Sequence, residues 1–176
     1  MQVFGCQDAY TRGYEIMSEF TQLIAMKRTY KKPKEGDVFA LQPLKDIFYF
    51  GKVIQTELES VDSFIRGMSL VYIYDCFRKE KAAPDGFDEN ELLIAPVIVN
   101  HQPWTKGYFE TIGNVDVSAK DKSVDFAFWD MLREKYVDLS RAELKLHHDP
   151  KYRSIFGLGS YGIVGKDVQK ALKSKE

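Results

Sequence analysis

Between Asp37 and Gly113 the chain breaks into short apolar runs of strand length, and turn-forming residues separate the runs. A two-residue period belongs to β-strands, whose side chains point alternately to opposite faces. Asp37-Val38-Phe39-Ala40-Leu41 is the first run, and Ile47-Phe48-Tyr49-Phe50 continues through Gly51 to Val53-Ile54 as the second. Pro43 to Asp46 lies between them as a turn, so the pair forms a hairpin. A glycine inside a strand, as at Gly51, marks a bulge or a close backbone approach. The polar stretch 55–68 is a loop. From Leu70 to Cys76 both faces of the next strand are mostly apolar. Residues 78–91 form a charged loop around Pro84-Asp85-Gly86. Leu92 to Val99 is a further strand, which Pro96 either places at a sheet edge or bends, because proline cannot donate to the ladder. Gly107 to Gly113 closes the set, and Trp104 just before it is expected to be buried as an anchor. The fold class that follows is α+β: one domain on a bent antiparallel sheet or partial β-barrel, with peripheral helices and an N-terminal helical extension.

The extension rests on a different period. Tyr14, Met17, Phe20, Leu23 and Ile24 fall at three- and four-residue steps, the spacing of one helix face. Lys27 and Arg28 would then sit at the helix C-terminus, where the dipole favours cations. Lys31-Lys32-Pro33-Lys34-Glu35-Gly36 is a polar hinge that stops any helix. The expected division is a helical extension with a basic linker over 1–33 and the domain proper over 34–176. Met26 is an alternative start, and a chain beginning there is expected to fold. In the last third, Val124, Phe126 and Phe128 alternate like a strand, whereas Phe128, Met131, Leu132 and Tyr136 step like a helix. Tyr136 to Leu146 could be a strand. Ser160 to Val164 is expected as a short strand, followed by a helix from Asp167 to Lys173 with Val168 and Leu172 facing in.

Composition narrows the function classes. Hydrophobic residues make up 44% of the 176 positions and aromatics 14%, enough for a sizeable core and too much for a disordered chain. The 25 Lys+Arg and 26 Asp+Glu nearly cancel, which argues against a nucleic-acid coat or a membrane-surface protein. No apolar run approaches the ~20 residues that span a bilayer. The N-terminus lacks the basic start of a secretion signal, and Gly5, Gln7 and Asp8 break its apolar stretch. Cys6 and Cys76 suit a reducing compartment, so the cytoplasm is the expected location.

No catalytic constellation emerges, and no cofactor or metal is called for. Gly157-Leu158-Gly159-Ser160-Tyr161-Gly162 matches Gly-x-Gly-x-x-Gly, yet the sequence up to Glu176 leaves no room for the rest of a βαβ unit, so a turn-rich strand entry is expected. His147-His148-Asp149 lacks the ligand spacing of a metal site and reads as a surface loop. Cys76 lies in an apolar run and has the character of a core residue. Lys27, Arg28, Lys31, Lys32 and Lys34 flank Tyr30 as a basic stripe with the character of a solvated linker. Asp85, Asp88, Glu89 and Glu91 place four carboxylates in seven residues around Phe87, with no Lys or Arg among them. That density suits an acidic surface that steers a basic partner, with Phe87 as its apolar anchor.

Several segments resemble the immunity protein 26 family of bacterial polymorphic toxin systems. Lys34-Glu35-Gly36-Asp37-Val38-Phe39-Ala40-Leu41 is similar to its opening Gly-Asp and apolar strand. Phe48-Tyr49-Phe50-Gly51-Lys52-Val53 resembles its aromatic-Gly-basic-Val strand. Leu92-Leu93-Ile94-Ala95-Pro96, then Trp104-Thr105-Lys106-Gly107-Tyr108-Phe109, resemble its Pro-containing strand and Trp-x-x-Gly-aromatic step; Ala95 stands where many members carry a second proline. Tyr161-Gly162 and the small helix after it also fit. The resemblance implies a non-enzymatic inhibitor in the cytoplasm that binds a cognate toxin domain and covers or distorts its active site. Many such toxins act on nucleic acid, so a nuclease with a basic cleft is the partner that Asp85, Phe87, Asp88, Glu89 and Glu91 would meet. Other readings are a small β-barrel module binding nucleic acid or a peptide, and a carboxylate-dependent hydrolase.

Overall fold

The computed structural model describes residues 23–175. β1 (Asp37–Leu44) and β2 (Ile47–Gln55) form the expected hairpin, and β3 (Ser69–Arg78) pairs with β2. β4 (Val97–Val99) follows Pro96, and β5 (Glu110–Asn114) returns beside β1. The five strands form an antiparallel sheet in the order β4-β3-β2-β1-β5. Pro96 therefore both precedes the ladder and belongs to its edge. A second sheet holds β6 (Phe126–Asp130), β7 (Lys135–Val137) and β8 (Tyr152–Ile155) in the order β7-β6-β8, with β6 and β8 parallel. Both sheets are open, so the protein is α+β without a closed barrel.

The alternation in β3 dictates the layering. Val71 and Ile73 face one side, with Phe39, Leu41, Trp104, Phe109 and the helix α3 (Tyr161–Lys173). Leu70, Tyr72 and Tyr74 face the other, with Phe128 and Val137 of the second sheet. The central sheet is thus covered by helix on one face and by sheet on the other. Trp104 is fully buried, as expected. It sits in the one-turn helix α1 (Gln102–Thr105), packs edge-on against Phe39 and Phe109, and donates its indole N–H to Thr111 Oγ1 at 3.1 Å. Gly51 is a close approach: a Cβ there would lie 2.3 Å from the Phe39 ring and 2.6 Å from the Tyr72 carbonyl oxygen.

Three expectations need correction. Leu23 and Ile24 are extended rather than helical; the rest of the expected helical face, with Cys6, lies outside the described residues. Ile24 N–H donates to Gln42 O at 2.8 Å, Met26 N–H to Gly107 O at 2.7 Å and Thr29 N–H to Trp104 O at 3.2 Å. Leu23 is buried in the helix-side core, so a chain starting at Met26 would leave a gap there. Residues 160–164 are the start of α3 rather than a strand, because the Ser160 hydroxyl accepts the Ile163 N–H while Val164, Val168 and Leu172 share one helix face. Of the stretch 136–146 only Tyr136 and Val137 join a strand; Val137 then makes an isolated bridge to Glu143.

Candidate functional site

The loop from β3 to β4 carries the residues expected to meet a partner. Asp85, Asp88 and Glu91 are exposed and Glu89 is half-buried. None of the four carboxylates forms an ion pair with another described residue. The loop is nevertheless held in shape. Asp88 accepts the N–H of Asn90 through Oδ1 at 2.9 Å and the N–H of Glu91 through its carbonyl at 3.0 Å. The Tyr152 hydroxyl, reaching over from β8, donates to Asn90 O at 2.6 Å and accepts the Leu92 N–H at 2.9 Å. Phe87 does not point out to a partner. Its half-buried ring stacks on Tyr74, 4.2 Å between centroids and 7° from parallel, and lies 6.5 Å from Phe50. An aromatic ring with such a platform gains more from burial than from exposure, so Phe87 pins the loop that presents the acids.

Beneath the second sheet lies a charged group absent from any sequence expectation. The Lys52 ammonium is 2.8 Å from Asp121 Oδ2, and both residues are buried. Asp121 belongs to the short helix α2 (Ala119–Lys122), whose capping box joins it to Ser118: the Asp121 N–H donates to Ser118 Oγ and the Ser118 N–H donates to Asp121 Oδ2. Tyr74 donates to Asp121 Oδ1 at 3.2 Å and Tyr72 to its carbonyl at 3.1 Å; Lys52 also donates to Asp116 O at 2.8 Å. Burial alone would push the Asp121 carboxyl up, but hydrogen bonds from Lys52 and Ser118, with the lysine charge, hold it below the ordinary carboxylate value. Burial and the nearby Asp121 charge push both tyrosines well above the ordinary phenol value, so they stay protonated donors. Every strong group here is matched by another, and the arrangement ties the β5–β6 connection to the central sheet.

A second hub sits at the surface. Arg141 Nε lies 2.7 Å from Asp130 Oδ2 and its Nη1 lies 3.1 Å from Asp62 Oδ2. Each carboxylate also caps its own turn: Asp62 Oδ1 accepts the Phe64 N–H at 2.9 Å, and Asp130 Oδ1 accepts the Leu132 N–H at 3.0 Å. The hydrogen bond from Arg141 outweighs burial and holds the Asp130 carboxyl below its ordinary value.

The remaining motifs are structural. His148 pairs with Asp125 at 3.0 Å in an exposed loop. No group of three potential metal ligands occurs among the described residues. The glycine motif does follow a strand and open a helix, but Gly159 is required by packing, since a Cβ there would lie 2.4 Å from Val97 Cγ2. Cys76 is half-buried at the end of β3, not fully in the core. Lys27, Arg28, Lys31, Lys32 and Lys34 are exposed, as is Tyr30. No described helix is long and apolar enough to cross a membrane.

Lys52 and Asp121 each left a faint signal: a lysine between Gly51 and Val53 in an apolar run, and Ser-x-x-Asp as a helix start. Arg141, Asp130 and Asp62 left none, because a cation binding carboxylates 11 and 79 positions away has no local pattern. A family model described as Immunity protein 26 matches residues 34–138. No curated protein and no solved structure matches the chain.

Proposed function

This chain belongs to the immunity protein 26 family, and from that premise we propose that it binds a cognate bacterial toxin domain and neutralises it by covering or distorting the toxin's active site. The observation that carries the proposal is the extent of the family match, which takes in the whole central sheet, the acidic loop and the Lys52–Asp121 tie. The acidic loop supports a basic partner. Asp85, Asp88, Glu89 and Glu91 stand together with no ion pair to a described residue, on a loop fixed by Phe87, by Tyr152 and by the Lys151 ammonium, which donates to Asn90 O. Such a surface accelerates encounter with a basic cleft, and a nuclease domain is the partner class that has one. The chain then acts in the cytoplasm, by binding and without chemistry of its own.

Co-expression with the toxin domain encoded beside the chain's gene tests the proposal. Growth is restored by the chain, and the purified chain co-elutes with a catalytically inactivated form of that toxin domain. Failure of both protection and co-elution would remove the neutralising role.

A further inference from the structure

We propose that the cleft between the β2–β3 connection and the second sheet, with the exposed apolar turns beyond its lip, grips a lysine or arginine side chain projecting from the toxin domain; this rests on the toxin-binding reading above. The cleft measures about 540 Å³, within the roughly 300–1,000 Å³ of pockets that enclose small ligands. Its floor is apolar, made by Phe126, Phe128, Val137 and Leu139, and its polar lining includes Glu57, Glu59 and Asp138. No lysine or arginine lines it. An apolar floor beneath a carboxylate rim is complementary to a side chain with an aliphatic stem and a cationic head. Asp138 spends one oxygen on its own turn, accepting the N–H groups of Ser140 and Ala142. Among the described residues Glu57 pairs with Lys32, at 3.6 Å with both side chains mostly exposed, a contact a partner's cation can displace at little cost. Glu59 has no ion pair with a described residue.

The lip supplies the apolar half of the contact. A shallower depression shares Glu59 and Ser140 with the cleft and continues to Val61 and Arg141. Val61, Phe64, Met131 and Leu132 are four of the ten large apolar side chains that stand exposed among the described residues, and Phe64 and Leu132 are 77% and 88% exposed. They come from two separate turns, 61–64 and 131–132, which Arg141 draws together through Asp62 and Asp130. The capping carboxylates fix both turns before a partner arrives, which lowers the ordering cost of binding. Three arginines line that depression: Arg141 pairs with Asp62 and Asp130, Arg133 lies 3.8 Å from Asp130, and Arg66 donates to Ser60 O, so the cation is received by the carboxylates of the cleft and not by the depression. Exposed apolar side chains beside a carboxylate-lined pocket supply the apolar and charged elements of an interface hot spot. Leu139 apart, the apolar floor, the carboxylates and the four exposed apolar residues fall inside the family match.

The test measures binding of the inactivated toxin domain to the wild-type chain and to two double variants, Glu57→Gln with Glu59→Gln, and Val61→Ser with Phe64→Ser. All four positions are exposed, and thermal melts confirm that each variant keeps the wild-type fold. Affinity falls at least tenfold in each, and the carboxylate pair also loses part of the salt dependence. Affinities within twofold of wild type in both variants would overturn the site while leaving the toxin-binding reading intact. A loss confined to the serine variant would overturn the cation pocket. A wild-type chain that binds no such toxin would overturn both readings.

Discussion

Lys52 and Asp121, 69 positions apart in the chain, meet as a buried ion pair at 2.8 Å, with 4% and 1% of their surfaces left to solvent. Removing one partner leaves the other charged in a place that water cannot reach. Lys52→Met is therefore expected to cost about 3–5 kcal/mol, whereas Lys52→Met with Asp121→Leu regains part of that loss because no lone charge remains. Only part returns, since Ser118 N–H and the Tyr74 hydroxyl lose their acceptor. Denaturant unfolding of the three proteins checks this; a single variant within 1 kcal/mol of wild type would show that the pair contributes nothing.

The same carboxylate sets an acid limit. Asp121 titrates lower in the folded chain than in the unfolded one. Below about pH 4 the unfolded chain therefore binds the extra proton first, and stability falls as the pH drops toward the folded value. Above that window the contribution is complete and flat. Asp121→Asn should be less stable at neutral pH and lose less on acidification from pH 5 to about pH 2. Parallel stability curves for the two proteins over that range would contradict the assignment.

Leu23 fills the helix-side core ahead of the domain boundary suggested by sequence. Leu23→Ala should cost about 2–4 kcal/mol, as for other buried leucines. A chain begun at Met26 should lose a similar amount together with the Ile24–Gln42 hydrogen bond. Calorimetric melting of both proteins decides the matter, and an unchanged midpoint for either would place Leu23 outside the folding unit.

The acidic loop and its ring divide the labour between rate and stability. Replacing Asp85, Asp88, Glu89 and Glu91 by Asn or Gln should slow association with the toxin domain and flatten its salt response, with the fold retained. Phe87→Ala should instead lower the melting temperature, because the Tyr74 stack is lost. Stopped-flow association at low and high ionic strength separates the two, and a wild-type rate for the uncharged loop at low salt would reject steering.

What the sequence disclosed follows from where short-range periodicity governs. The β1–β2 hairpin, β3 and the break at Pro96 were legible because each long strand is a short apolar run buried on both faces and bounded by turn residues, and Gly51 announced its own contact. The start of α3 was not, because Ile163 and Val164 favour strands locally, while the Ser160 cap and the spacing of Val164, Val168 and Leu172 prevail in the folded chain. β8 escaped notice because Arg153 and Ser154 interrupt any apolar pattern. The density of acids at 85–91 was plain, but the inward turn of Phe87 depends on Tyr74, a residue of β3 that no local pattern links to the loop. Arg141 is the extreme case: its meaning exists only once Asp62 and Asp130 have been brought to it.

With a helix over one face of the central sheet and a second sheet over the other, both broad faces of that sheet are closed to a partner. Partner choice can therefore be rewritten at exposed positions such as Glu57, Glu59, Val61, Phe64, Asp85, Asp88, Glu91, Met131 and Leu132, while the buried strands, Leu58 and Phe87 stay as they are. One scaffold can carry many addresses, and a chain that has lost its match to one toxin still folds and can acquire another.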